Sequence, residues 1–456
     1  MNQKCCKKIE KTVIFSIKSD GKRMNCNLIL YFCVYYIRIA FVSKNFLPIE
    51  IKVVRKNMSL TLSRKAQAVK PSSTLAITAK AKELRAQGLD VVGFGAGEPD
   101  FNTPENICEA AVKAIHEGHT KYTPASGTVS LKEAVCQKFK QFNGLEYDVN
   151  QIVISNGGKH SLTNVFMAIL NPGDEVMIPA PYWLSYPEMV KLADGVPITV
   201  YTKKENGYKV TVEELHASFT DKTKAIVINT PCNPTGMLYT REELMTIADF
   251  VVEKDIYLVA DEMYENLVYG GAQHISIASL NEEIYKRTIT VSGVAKSYSM
   301  TGWRIGYVGA SVEIAKLMSS IQSHATSNPN SIAQKATEEA LLGPQDTVEA
   351  MRQEFNSRRK YMYNRISNMP LLSCLEPKGA FYVFVDATEA VKKSYKGKTV
   401  GTAAKLAQIL INDYQTAVVP CEDFGAEGHF RLSYAISMEQ IEKGLDRIEQ
   451  CLNTLE

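Results

Sequence analysis

From position 58 onward, short apolar runs alternate with helical patterns. The runs are QIVISNGG (151–158), DEVMIPAP (174–181), KAIVINTP (224–231), DIYLVADE (255–262), KRTITVSG (286–293) and WRIGYVGA (303–310). They are continuous and β-branched rather than alternating, which is the pattern of strands buried on both faces. Helical stretches such as KHSLTNVFMAIL (159–170) and TREELMTIADFVVEK (240–254) lie between them. This alternation predicts an α/β domain with a mostly parallel sheet and helices on both faces, spanning 101–340. After about residue 340 the pattern becomes a long helix, a strand region GAFYVFVD (379–386), more helix and FRLSYA (430–435). That change predicts a smaller α+β domain over 341–456, joined by the segment 58–100.

Charge separates the first 57 residues from the rest. They hold 12 Lys and Arg against 3 Asp and Glu, a local charge of +9. The remainder carries 40 basic and 46 acidic residues, a charge of −6 that argues against a nucleic-acid partner. The leader's apolar run from Leu28 to Val42 is 15 residues long and interrupted by Arg38. A membrane span needs about 20 residues, so no membrane partner is expected. The abrupt change at Met58 predicts that translation starts there and that residues 1–57 are upstream sequence; a membrane anchor is the other reading. Ten cysteines show no CxxC pairing, which predicts free thiols in a reducing cytoplasm.

Four patterns carry candidate chemistry. In SNGGKHS (155–161), Gly157 and Gly158 lead from a strand into a helix start, an arrangement that can cradle phosphate. It is also an ordinary strand–helix turn. In NTPCNPTG (229–236), a rigid turn at a strand end projects the Asn233 amide, or is simply a β-turn. Asp261 in VADEMYENL (259–267) ends an apolar run. A poorly solvated carboxylate there wants a cationic partner such as a pyridinium nitrogen, with Tyr264 in reach of the same ligand; a helix cap is the plain alternative. Lys296 follows small and apolar residues, a setting that lowers an amine's pKa and favours imine formation. Arg304 could fork a phosphate, although most lysines and arginines are surface residues. Together these four patterns are the inventory for pyridoxal phosphate.

At this point the chain resembles the class I/II aminotransferases of fold type I, and within them the bacterial aspartate aminotransferase subgroup Ib. The likeness rests on AGEPDF (96–101), KYTPASG (121–127), SNGGK (155–159), PYWLSYPEM (181–189), CNPTG (232–236), DEMYE (261–265), AKSYSMTGWRIGY (295–307) and RLSYA (431–435). The resemblance implies that Lys296 carries the coenzyme as an imine and, once released, serves as the proton-moving base. It implies that Asp261 pairs with the ring nitrogen, that Asn233 and Tyr264 bond the ring's phenolic oxygen, and that Trp183 stacks on the ring. Gly158, Lys159 and Arg304 would line the phosphate, and Tyr122 would reach the phosphate of a neighbouring subunit in a homodimer. Arg431 would clamp the substrate α-carboxylate, assisted by Asn233, Trp183 and Gly97.

Substrate choice follows from the same resemblance. Lys159, with Thr74 nearby, would meet a side-chain carboxylate, implying aspartate and 2-oxoglutarate as substrates. Some similar enzymes also aminate prephenate. A fold-type-I C–S β-lyase is the competing chemistry, but it needs no basic group for a distal carboxylate. Residues 1–57 show no helix-turn-helix pattern, which argues against a transcription regulator. One departure stands out: Gly293 and Ala295 occupy positions where other branches place phosphate-binding serines, with Ser292 as one hydroxyl that could compensate.

Overall fold

The structure, a computed structural model, describes residues 61–456 together with the backbone of two earlier strands. Those strands, Ile9–Ser19 and Lys22–Phe32, pair antiparallel within a unit of their own, Met1–Thr61. Most of the leader's apolar run, from residue 33 on, lies outside the described residues. The second unit, Leu62–Glu456, carries everything that follows.

Its centre is a seven-stranded sheet of β1 (Ile152–Ser155), β2 (Glu175–Ala180), β3 (Val196–Tyr201), β4 (Thr223–Asn229), β5 (Tyr257–Asp261), β6 (Thr288–Gly293) and β7 (Gly306–Gly309). The strand order is β1-β7-β6-β5-β4-β2-β3, parallel except that β7 runs antiparallel to both of its neighbours. Alternate residues point to opposite faces, and both faces are covered. Val176, Ile178, Val227 and Val259 pack under helices that include Gly158–Ile169 and Val312–Ala325. Met177, Ile226, Ile228 and Leu258 pack on the other side with helix Arg241–Lys254. That helix starts at a capping box in which the Thr240 hydroxyl accepts from Glu243 N and the Glu243 carboxylate accepts from Thr240 N. Such a cap contributes about 1 kcal/mol.

Two strand expectations need correcting. β3 is absent from the sequence-based set: Pro197 interrupts its pattern, and proline is tolerated because this is the edge strand, with Val196 and Tyr201 exposed. The strand expected over 303–310 begins only at Gly306. Residues Thr301–Trp303 form a short 3-10 turn, and Arg304 takes a left-handed backbone, φ 59°, that ends it.

The C-terminal part builds a four-stranded antiparallel sheet from β8 (Ser373–Cys374), β9 (Tyr382–Asp386), β10 (Val419–Pro420) and β11 (His429–Ser433), in the order β8-β9-β11-β10. Helices Asp346–Ser367 and Met438–Leu452 supply Phe355, Met362, Ile441 and Leu445 to its core. Val92 and Phe94 belong to the same core, and Phe94 O accepts from Ser433 N at 2.9 Å. This anchors the chain just before Gly97, so the Gly95–Gly97 loop lies across the carboxyl ends of the large sheet.

Candidate active site

A cavity of about 400 Å³ opens outside the carboxyl ends of the parallel strands, where open α/β sheets bind ligands. It gathers eleven of the sequence-predicted residues: Thr74, Gly97, Gly158, Lys159, Trp183, Asn233, Asp261, Tyr264, Lys296, Arg304 and Arg431. Tyr122 is the exception. It lies outside this cavity and is 90% exposed.

Asp261 is the last residue of β5 and is buried. Its Oδ2 accepts from the Tyr186 hydroxyl at 2.6 Å and its Oδ1 from Met263 N at 3.1 Å. Burial lifts its pKa to about 6, although both donors pull the other way. Both donors are neutral, and among the described residues no cation forms an ion pair with this carboxylate. One strand over, Asn229 ends β4 and ties the region together. Its Nδ2 donates to Asp261 O at 2.9 Å, and its Oδ1 accepts from Asn233 N at 2.8 Å.

At the other end of the cavity, β1 turns through Gly157 into helix Gly158–Ile169. Gly157 sits at φ 85°, and a Cβ there would collide with the Arg304 guanidinium. Only glycine satisfies both demands. Arg304 is held by its own carbonyl bonds, Nη1 to Thr301 O at 2.8 Å and Nη2 to Asn156 O at 3.4 Å. Lys159 lies in the first turn of that helix with its ammonium 4.9 Å from the Trp183 ring centre. Burial, and then the Arg304 charge, lower its pKa. Two cations beside a helix N-terminus make a site for an anion.

Lys296 lies just beyond β6, and its amine donates to Gly97 O. Burial draws its pKa down to about 8; Glu98 opposes this, while Arg431 and Arg304 add to it. Such an amine is partly neutral at physiological pH and therefore nucleophilic. Opposite, Arg431 projects from β11, buried against the Tyr382 ring at 4.2 Å, and its Nη1 donates to Asn233 Oδ1 at 2.8 Å. Its Nε is buried with no acceptor among the described residues. A ligand carboxylate would satisfy it. The Tyr264 and Tyr382 hydroxyls stand 3.0 Å apart.

Ser292 does not fill the phosphate role expected of it. It is fully buried, and its hydroxyl donates to Glu265 Oε1 at 2.6 Å, because strand alternation turns it away from the cavity. Sequence reasoning also gave no part to Tyr186 and Asn229, which orient Asp261 and Asn233. Both stood inside recognised motifs, and a polar residue closing an apolar strand was the available signal for Asn229.

The donor set fits pyridoxal phosphate. Lys159, Lys296, Arg304 and Arg431 line the cavity and none forms a carboxylate ion pair among the described residues, while Asp261 is the one acidic lining residue. The cavity therefore calls for an anionic ligand with a cationic nitrogen at one end.

Comparison with known proteins agrees. The model of the family "Aminotransferase class I and II" matches residues 89–448. An aspartate aminotransferase from Bacillus sp. strain YM-2 is 49% identical over 393 residues, covering 86% of this chain and 99% of that protein. A probable aspartate/prephenate aminotransferase from Aquifex aeolicus is 46% identical over 396 residues, 86% of this chain and 99% of that one. Among solved structures, the aspartate aminotransferase of Rhizobium meliloti superposes with a TM-score of 0.85 at 38% identity, covering 87% of this chain and all of that one. The Thermus thermophilus aspartate aminotransferase with maleate gives a TM-score of 0.81 at 43% identity, over 86% of this chain and all of that one.

Proposed function

The chain belongs to the class I and II aminotransferases, which work with pyridoxal phosphate, and from that premise we propose that it moves the amino group of aspartate to 2-oxoglutarate by a ping-pong route. The observation that carries this reading is the charge pattern of the cavity: four cationic side chains without carboxylate partners around a single buried acid.

When bound, pyridoxal phosphate supplies an aldehyde for imine exchange and a ring that accepts electrons. Lys296 would supply the amine that holds that aldehyde and, once free, would carry a proton to and from the substrate α-carbon. Asp261, held by Tyr186 and Met263 N, provides the negative charge that keeps a ring nitrogen protonated. Gly158, Lys159 and Arg304 hold the phosphate at the helix start. Arg431 grips the substrate α-carboxylate through a fork that Asn233 already orients. Asn233 and Tyr264 would hold the phenolic oxygen of the ring, and Trp183 would pack against it. Gly97 fixes the loop above Lys296 through its carbonyl.

Lys159 and Thr74, both lining the cavity, take the distal carboxylate of a dicarboxylic substrate. That pairing favours transfer over C–S β-elimination, which has no use for it. Prephenate is a second acceptor worth testing, because the Aquifex relative carries that activity in its name. Tyr122, exposed and outside its own chain's cavity, supports a homodimer in which it reaches the partner's phosphate site. The free thiols of Cys108, Cys136, Cys232, Cys374, Cys421 and Cys451 suit a reducing compartment, and we place the enzyme in the cytoplasm. No helix among the described residues is long and apolar enough to cross a membrane.

A panel of 2-oxo acids with aspartate or glutamate as donor tests the reading. The dicarboxylic acceptors, 2-oxoglutarate and oxaloacetate, should react fastest, with prephenate measured alongside. Equal rates with pyruvate would refute the role given to Lys159 and Thr74.

A further inference from the structure

Directly behind Asp261 lies a second cluster of buried charge that the proposed reaction does not use. Glu262 is fully buried and Glu265 nearly so. Lys138, from the end of helix Val129–Lys138, pairs with Glu265 Oε1 at 2.5 Å and also donates to Asn143 Oδ1 at 2.9 Å. Asn143 Nδ2 donates to Glu262 Oε2 at 3.0 Å and to Glu265 Oε2 at 2.7 Å. Ser292 completes the Glu265 shell. His274 joins the cluster by charge, its Nε2 3.1 Å from Glu262 Oε2 and its side chain 8% exposed, although neither ring nitrogen has a hydrogen-bond partner among the described residues.

The charges do not balance without the histidine. Two buried carboxylates face one ammonium, and an uncompensated charge in such a place is strongly disfavoured. Glu262 Oε1 has no hydrogen-bond donor among the described residues. The cluster is also fastened to the catalytic segments. Glu262 is the neighbour of Asp261, and Glu262 N donates to Val291 O at 2.8 Å. Ser292 stands four residues before Lys296.

We propose that His274 is a positioning residue that carries a positive charge at neutral pH, neutralising Glu262 so that Asp261 can remain an anion beside the coenzyme ring. The groups facing the imidazole are Glu262 just after β5, Glu265 from the following turn and Lys138 from helix Val129–Lys138. Burial and Lys138 disfavour its proton, but the two carboxylates outweigh them and hold its pKa above the ordinary histidine value. An unneutralised Glu262 would push the Asp261 pKa further up, since the two carboxylates repel. The consequence for Asp261 rests on the function proposed above; the charge on His274 does not. Glu262, Glu265 and His274 also have the spacing of a metal site, but the Lys138 ammonium already pairs with one of these carboxylates, Glu265.

The test uses the holoenzyme labelled with 15N-histidine, with the His274 signals identified by their loss in H274Q. Both ring nitrogens of His274 should still carry protons at about pH 7, where an exposed histidine is mostly neutral. A neutral His274 at pH 7, or one zinc ion retained per chain, would overturn the proposal. In parallel, coenzyme retention is measured by absorption during dialysis. H274Q should hold the coenzyme roughly tenfold more weakly, and the E262Q/H274Q pair should recover to within about threefold of the parent, because removing both charges restores the balance. A double variant no better than H274Q would overturn the link to Asp261, while loss of transamination with the His274 charge intact would count against the function alone.

Discussion

Asp261 and Glu262 are consecutive carboxylates at the end of one strand, and they meet opposite fates. Asp261 faces the cavity with only a phenol and an amide as partners. Glu262 faces the interior, inside a cluster that contains Lys138 and His274. The period-2 geometry of a strand sends them apart. One face is left with charge that a ligand must complete; the other gathers opposing charges from within the fold. Binding sites are places where the fold stops short of balancing its own charge, and this strand end shows both conditions one residue apart.

Variants on the two faces should therefore fail differently. The largest effect is expected from Lys296→Ala on the cavity face, which should lower transamination by roughly 10⁴-fold or more while leaving the thermal midpoint nearly unchanged; steady-state kinetics and a melting curve check both halves. Asp261→Asn, an isosteric loss of charge, should lower kcat/KM by about 10³-fold with the fold intact. Lys138→Met on the back face should do the reverse. It leaves Glu265 buried without its cation, at a cost of about 3–5 kcal/mol in denaturant unfolding, while the folded fraction keeps its turnover within about threefold. If Lys138→Met abolished turnover at full stability, the division between the faces would be wrong.

The smallest effect is a pH dependence on the cavity face. The nucleophile is the neutral amine, and in the ligand-free chain Lys296 has its pKa lowered to about 8. Deprotonation lies above that value, so coenzyme capture by the apo-protein should accelerate about tenfold per pH unit below it and level off above it. Stopped-flow absorbance gives the midpoint. A rate still climbing well above pH 8 would show that burial does not depress this lysine.

Much of the cavity face was legible in the sequence, and little of the back face was. Lys296, Asp261, Asn233 and Gly158 each follow or close an apolar run, so their placement at strand ends could be read directly. Arg431 and Lys159 come from different elements, and only the family motifs brought them to the same place. Lys138 and His274 belong to no motif, and each lies far from Asp261 or beyond a loop, so their meeting depends on packing. Ser292 could not be placed for a related reason, since its face is fixed by a register that a run of apolar letters does not specify. β3 was lost to Pro197, which an edge position tolerates. Period and punctuation thus located the carboxyl ends of the strands, while the direction of each side chain there came only with the assembled sheet.

The central claim is that one amine captures the coenzyme opposite a buried acid. Borohydride reduction of the purified yellow protein, followed by peptide mass spectrometry, tests it most directly. The account predicts one pyridoxyl group per chain, attached to Lys296. A label on Lys159 or any other lysine, or none at all, would contradict it.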